Sequence, residues 1–203
     1  MEEKNKELIR NAGNHLMGEF VHVLSLLEEA EEESEKDILS NGEESRRAGE
    51  KKYALLEQCD LLTEQLKRDY LDFADLMGFN ADSAGWDFPF NEEFKNVDIE
   101  LDNQVVDRYF DLNLRNVYID MRKSMGQALE AFHKTMGELN YICPCCGMSY
   151  FEKNGSYEIC PVCGWENDRV QNSDPTFRGG ANKDCLMVAR KKFEQTHRIR
   201  RAG

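Results

Sequence analysis

The chain has 203 residues and a formal charge of −13, with 40% hydrophobic and 32% charged residues. This suits a soluble protein with a modest core, in one large or two small domains, and so acidic a surface repels nucleic acid in general. No run approaches the roughly 18 apolar residues of a membrane helix, and Met1-Glu2-Glu3-Lys4-Asn5-Lys6 lacks a signal-peptide core. A cytoplasmic location without a membrane partner is expected.

Residues 5–36 predict one long amphipathic helix. Leu8, Ala12, Leu16, Phe20, Val23, Leu27 and Ala30 recur at steps of three or four, opposite an acidic face ending in Glu28-Glu29-Ala30-Glu31-Glu32-Glu33. Ser40-Asn41-Gly42 is a turn signal. A second helix is predicted from about Glu43 to Met77. Its stripe is Tyr53, Leu56, Cys59, Leu62, Leu66, Tyr70, Phe73 and Met77, which makes Cys59 an inert buried thiol.

Gly78 stops this helix. Residues 78–96 form an irregular loop with Phe79, Trp86, Phe88, Phe90 and Phe94. Either the loop packs back over the helices, or Trp86, Phe88 and Phe90 form an exposed patch that binds a partner. Burial of Trp86 and Phe88 decides between the two.

Residues 98–139 are helical again. The apolar stripe of Leu101, Val105, Tyr109 and Leu112 changes direction from Leu114 onward, through Val117, Met121, Met125, Ala128, Phe132, Met136 and Leu139. Either the helix breaks near Asn113–Asn116 or it is buried on two sides. Short turns between long helices make an antiparallel bundle of three or four helices. Two Glu-x-x-His pairs, Glu19 with His22 and Glu130 with His133, have the spacing of di-iron bundles. Glu130 points away from its apolar stripe and both histidines lie off theirs, so no inward-facing metal site is expected there.

Charge changes after residue 140. Residues 141–203 hold 10 Lys+Arg against 7 Asp+Glu, so of the chain's 26 and 39 the first 140 residues hold 16 and 32. This marks an acidic helical domain over 1–140 and a second domain over 141–203.

The second domain begins with two copies of one device, Cys143-Pro144-Cys145-Cys146-Gly147 and Cys160-Pro161-Val162-Cys163-Gly164. Each Cys-x-x-Cys turn aims two thiolates at one ion, and the following glycine permits the tight backbone turn. Cys143, Cys146, Cys160 and Cys163 therefore predict one structural zinc ion, with Cys145 a bystander. Reduced thiols in a cytoplasmic chain favour metal over disulfides. Four thiolates leave no open position for water, and no nucleophile–base arrangement lies beside them, so an enzyme is not expected. Short strand-like runs at Asn140–Ile142, Met148–Phe151 and Ser156–Ile159, with a turn at Lys153-Asn154-Gly155, complete a zinc ribbon.

Beyond the second turn come Trp165-Glu166, then Gly179-Gly180-Ala181-Asn182, with Asn182 placed to cap a final helix. Leu186, Ala189 and Phe193 form that helix's apolar stripe. In this order, residues 141–194 resemble the bacterial cysteine-rich CPCC family of small zinc-binding domains. The resemblance implies a fold and a zinc ion, and no activity. The family tends to have Ser where this chain has Cys185, which implies no metal role for that thiol.

The fold class expected is mainly α: an antiparallel helical bundle, then a small zinc ribbon with a C-terminal helix. The function expected is a non-catalytic interaction protein. Its acidic helices would engage a basic protein partner, in the manner of a bacterial immunity protein or antagonist neutralising a toxin or nuclease. The alternative is a nucleic-acid-associated regulator using Arg190, Lys191, Lys192, Arg198, Arg200 and Arg201 against phosphates. The same basic residues could instead pair with the acidic helices of this chain or of a second copy.

Overall fold

The computed structural model describes residues 3–81, 86, 103–137 and 141–196. Its elements are α1 (Glu3–Leu39), α2 (Glu43–Met77), α3 (Asn103–Met136), β1 (Tyr141–Ile142), β2 (Tyr150–Phe151), α4 (Arg169–Ser173) and α5 (Leu186–Thr196). The protein is mainly α, an antiparallel helical bundle followed by a small cysteine-rich ribbon and a C-terminal helix. No described helix is long and apolar enough to cross a membrane.

The first two helices form where the apolar periodicity puts them. The third runs unbroken through Asn113–Asn116, so the break offered as one alternative is absent. Each Asn costs under about 0.7 kcal/mol in a helix interior, too little to interrupt 34 residues that contain no proline. Leu101 and Leu139, and the side chains of Val105, Tyr109, Leu112 and Leu114, lie outside the described residues.

The chain divides into two compact units, one of Met1–His22, Asp72–Phe79 and Gln127–Gly203, the other of Val23–Leu71 and Asn80–Gly126. The change of charge at residue 140 falls inside the first unit.

The core of the second unit comes from Val23, Leu24, Leu27 and Ala30 of α1, Leu56, Cys59, Leu66 and Tyr70 of α2, and Val117, Met121 and Met125 of α3, all buried. Burial, then the nearby Asp60 carboxylate, pushes the Cys59 thiol up to about 12, so it stays an inert thiol. Trp86 belongs to this core. It is 1% exposed, stacks on Tyr70 with ring centroids 4.9 Å apart, and donates from Nε1 to Ser124 Oγ at 3.3 Å. It therefore offers no surface to a partner; its indole is too large an apolar body to leave in water when a ring and a hydroxyl acceptor are at hand. Phe88, Phe90 and Phe94 lie outside the described residues. Between α1 and α2, Lys51 Nζ pairs with Glu29 at 2.8 Å and Glu33 at 3.0 Å, and Ser45 Oγ donates to Asp37 at 2.6 Å. These partners ascend along α2 as they descend along α1, which fixes the antiparallel register.

The first unit joins helix ends to the ribbon. Phe132 is fully buried, edge-on to Phe73 (5.8 Å) and to Tyr150 of β2 (5.0 Å). Leu16 and Phe20 are buried as the stripe predicts, but Leu8 is 54% exposed, and Ile9, Met17 and Val21 are buried as well. α1 thus buries a face wider than a single stripe, as a helix with more than one neighbour must.

Candidate metal centre

β1 and β2 pair antiparallel, Tyr141 opposite Phe151 and Ile142 opposite Tyr150, and the first cysteine turn connects them. Within it the Cys143 amide donates to Ser149 O (2.8 Å) and the Gly147 amide to Cys143 O (2.9 Å). The second turn repeats the pattern: Cys160 N donates to Trp165 O and Gly164 N to Cys160 O, each at 2.9 Å. Gly147 and Gly164 both adopt φ +70°, the left-handed conformation glycine takes most cheaply. The run Ser156–Ile159 is not a strand. Tyr157 sits at φ +60°, which breaks its extension, and Ile159 alone bridges to Glu166.

The turns bring four sulfurs together. Cys143 Sγ lies 3.7 Å from Cys163 Sγ and Cys146 Sγ lies 3.6 Å from Cys160 Sγ, with all four within 4.8 Å of one another. A disulfide needs about 2.05 Å, and all seven cysteines are free. A tetrahedron with metal–sulfur bonds of about 2.3 Å has edges of about 3.8 Å. The 3.7 and 3.6 Å separations fit that figure and the other sulfur pairs lie within 4.8 Å, so these four residues could hold one metal ion. Thiols this close cannot all ionise without a cation. Contacts from Cys143, Cys146 and Cys163 drive the Cys160 thiol strongly down, whereas contacts from Cys143, Cys160 and Cys163 drive Cys146 well up. Around the sulfurs, the buried Ser149 hydroxyl lies 2.9 Å from Cys160 Sγ, and the Met148 amide donates to Cys146 Sγ at 3.4 Å. Such contacts orient ligand sulfurs and tune their basicity.

Residues 141–199 match the family model described as Cysteine-rich CPCC. The resemblance carried by the cysteine turns and the Gly-Gly-Ala-Asn string is thereby supported for this segment. No curated protein matches the chain.

Within the CPCC segment, Cys145 is half-buried and outside the four-sulfur group, and Cys185 is buried just before α5, where its carbonyl accepts from Val188 and Ala189. Asn182 does not cap α5. Its Nδ2 donates to Glu166 O and its Oδ1 accepts from Glu166 N, both at 2.8 Å, because pairing both polar groups of one backbone residue satisfies the whole side-chain amide. Asp168, unnoticed in the sequence, caps α4 through Val170 N (2.7 Å) and holds Ala181 N (2.8 Å). A hydrogen bond from Ala181 N, then those from Val170 and Gln171, outweigh burial and keep its carboxyl low. The basic residues are partly committed: Arg190 Nε donates to Pro144 O and Lys192 pairs with Asp184. Lys191 is exposed on α5, while Arg198, Arg200 and Arg201 lie outside the described residues.

Of the Glu-x-x-His residues, His22 and Glu130 are exposed. His133 turns to the ribbon instead, with Nδ1 2.6 Å from Tyr150 Oη. Burial lowers its pKa, so the neutral ring can accept from the tyrosine hydroxyl. The folded state then binds fewer protons than the unfolded chain between the lowered pKa and the ordinary value near 6.5. Stability should be full above that ordinary value and fall as pH drops through it. His133→Gln should flatten this part of the pH–stability profile, measured by denaturant unfolding; an unchanged slope would show that the proton is taken up elsewhere.

Proposed function

We propose that the chain is a non-catalytic zinc-binding interaction protein. A structural Zn(Cys)4 centre would fix the ribbon, and the acidic helices would engage a basic protein partner. The observation that carries this reading is the group of four sulfurs within 4.8 Å of one another, with Cys143–Cys163 and Cys146–Cys160 at 3.7 and 3.6 Å. Zinc suits four thiolates without any preference for further ligands, and a closed shell leaves no position for substrate or activated water. The partner class rests on charge. Glu31, Glu32, Glu35, Glu44, Glu57 and Glu64 are exposed along the second unit's helices, and such a field steers basic surfaces toward it. This is the profile of an immunity protein or antagonist that neutralises a basic toxin or nuclease. The internal pairing of Arg190 and Lys192 weighs against a phosphate-binding tail.

Two measurements test the two halves. Elemental analysis should give one zinc per chain, and X-ray absorption four sulfur neighbours at about 2.3 Å; iron, or a nitrogen or oxygen ligand, would overturn the zinc assignment. Affinity capture from the native host should retain a basic protein, released as salt is raised. Recovery of no basic protein would overturn the partner assignment.

A further inference from the structure

Three residues of α1 face the ribbon, and they are spaced four apart. Arg10 Nη1 lies 3.7 Å from Glu158 Oε1. Asn14 donates from Nδ2 to Tyr150 O and accepts at Oδ1 from Tyr150 N, both at 2.8 Å. At Gly18 an added Cβ would lie 3.2 Å from Pro161 O, so the helix backbone comes against the second cysteine turn itself. Residues at i, i+4 and i+8 form one stripe on a helix. This polar and small stripe runs beside the apolar face that holds Leu16 and Phe20.

Two of these contacts meet the ribbon in or beside the metal turns. Tyr150 lies in β2, one residue after Ser149, whose carbonyl receives the Cys143 amide and whose hydroxyl lies at Cys160 Sγ. Pro161 is inside the second turn, between two ligand cysteines. Tyr150 also reaches α3, through the Phe132 ring and His133. Strand pairing alone holds Tyr150 weakly, because the only sheet among the described residues is a pair of two-residue strands. So short a hairpin is not stable by itself in water.

We infer that metal occupancy of the four cysteines controls the order of the first half of α1, with Asn14 as the coupling residue. With the ion bound, the ribbon presents Tyr150, Glu158 and Pro161 in a fixed array and the stripe Arg10–Asn14–Gly18 docks on it. With the ion removed, the array dissolves, and the amide of Asn14 loses both partners. The second unit, which holds its own core, keeps its structure. The chain is then a metal-responsive device whose N-terminal helix reports the state of the ribbon. This rests on the metal-binding reading of the four cysteines.

Hydrogen exchange read by mass spectrometry tests it on the full chain, metal-loaded against chelator-stripped, with reductant present so that stripped thiols stay free. Stripping should speed exchange across Ile9–Phe20 by at least about tenfold while Val23–Leu39 and Glu43–Leu71 keep their protection. Asn14→Ala should still bind one ion, but more weakly by about fivefold or more, because coupling is reciprocal, and its exchange over Ile9–Phe20 should no longer respond to the ion. Should that variant fold poorly, Arg10→Gln removes a peripheral contact and should shift both readouts in the same direction by less. Unchanged exchange over Ile9–Phe20 after the ion has gone overturns the inference, as does loss of protection in both units together. A chain that takes up no ion overturns the metal-binding reading and the inference with it.

Discussion

Cys160→Ser should abolish tight metal binding and unfold the ribbon, whereas Cys145→Ser should leave one ion per chain. Cys160 is 1% exposed, and its sulfur lies within reach of Cys146 and Ser149. A serine oxygen in its place is a poor ligand that stays protonated at neutral pH, so one metal–thiolate bond is lost outright. Structural zinc contributes about 10–16 kcal/mol of apparent binding free energy across its ligands, so losing one removes on the order of 3 kcal/mol or more. Strand pairing lends the ribbon little besides: among the described residues its sheet is four residues in total. Whole domains are stable by only about 5–15 kcal/mol, so a loss of this size is decisive for so small a module. Elemental analysis and competition against a chromogenic chelator check both variants. Loss of the ion from Cys145→Ser, or its retention in Cys160→Ser, would move the ligand set away from Cys143, Cys146, Cys160 and Cys163.

The sequence made these four residues legible because a repeated Cys-Pro-x-Cys-Gly device has few other physical uses. The long helices were legible because burial on one side imposes a period. From Val117 to Met136 every predicted stripe residue of α3 is buried. The groups that dock the ribbon were not legible in the same way. Arg10, Asn14 and Gly18 carry no apolar signal, so a search for hydrophobic periodicity passes over them. Their trace is the pair of glycines inside α1, Gly13 and Gly18, each costing a helix about 1 kcal/mol relative to alanine and so calling for a packing reason. Asn182 misled for a related reason. Its position before a helix suggests a cap, but an amide can satisfy both its donor and its acceptor at once on Glu166, and it does. Trp86 could not be settled from composition, because the sequence around it has no apolar period to betray its direction.

The second large effect should come from Phe132→Ala, at about 3–5 kcal/mol of lost stability, the range for emptying a fully buried aromatic position. The ring is 0% exposed and is held edge-on by Phe73 and by Tyr150. Its third constraint is α1. A Cβ built at Gly13 would lie 2.5 Å from Phe132 Cε2 and Cζ and 2.8 Å from Cδ2, closer than carbon atoms approach. Gly13→Ala therefore sets two effects against each other. Helix propensity should gain about 1 kcal/mol, and overpacking should cost about 1–3 kcal/mol, toward the upper end here because two other rings block the retreat of Phe132. The net expectation is destabilisation. The same physics predicts its cure: in Phe132→Leu the smaller side chain vacates the space, so adding Gly13→Ala to it should be neutral or stabilising. Denaturant unfolding of the two single variants and the double variant closes the cycle, with a coupling of about 0.5–3 kcal/mol expected for side chains in contact. Additive effects would mean that α1 and the Phe132 ring do not meet at Gly13, and with that the close seating of α1 in the first unit would be lost.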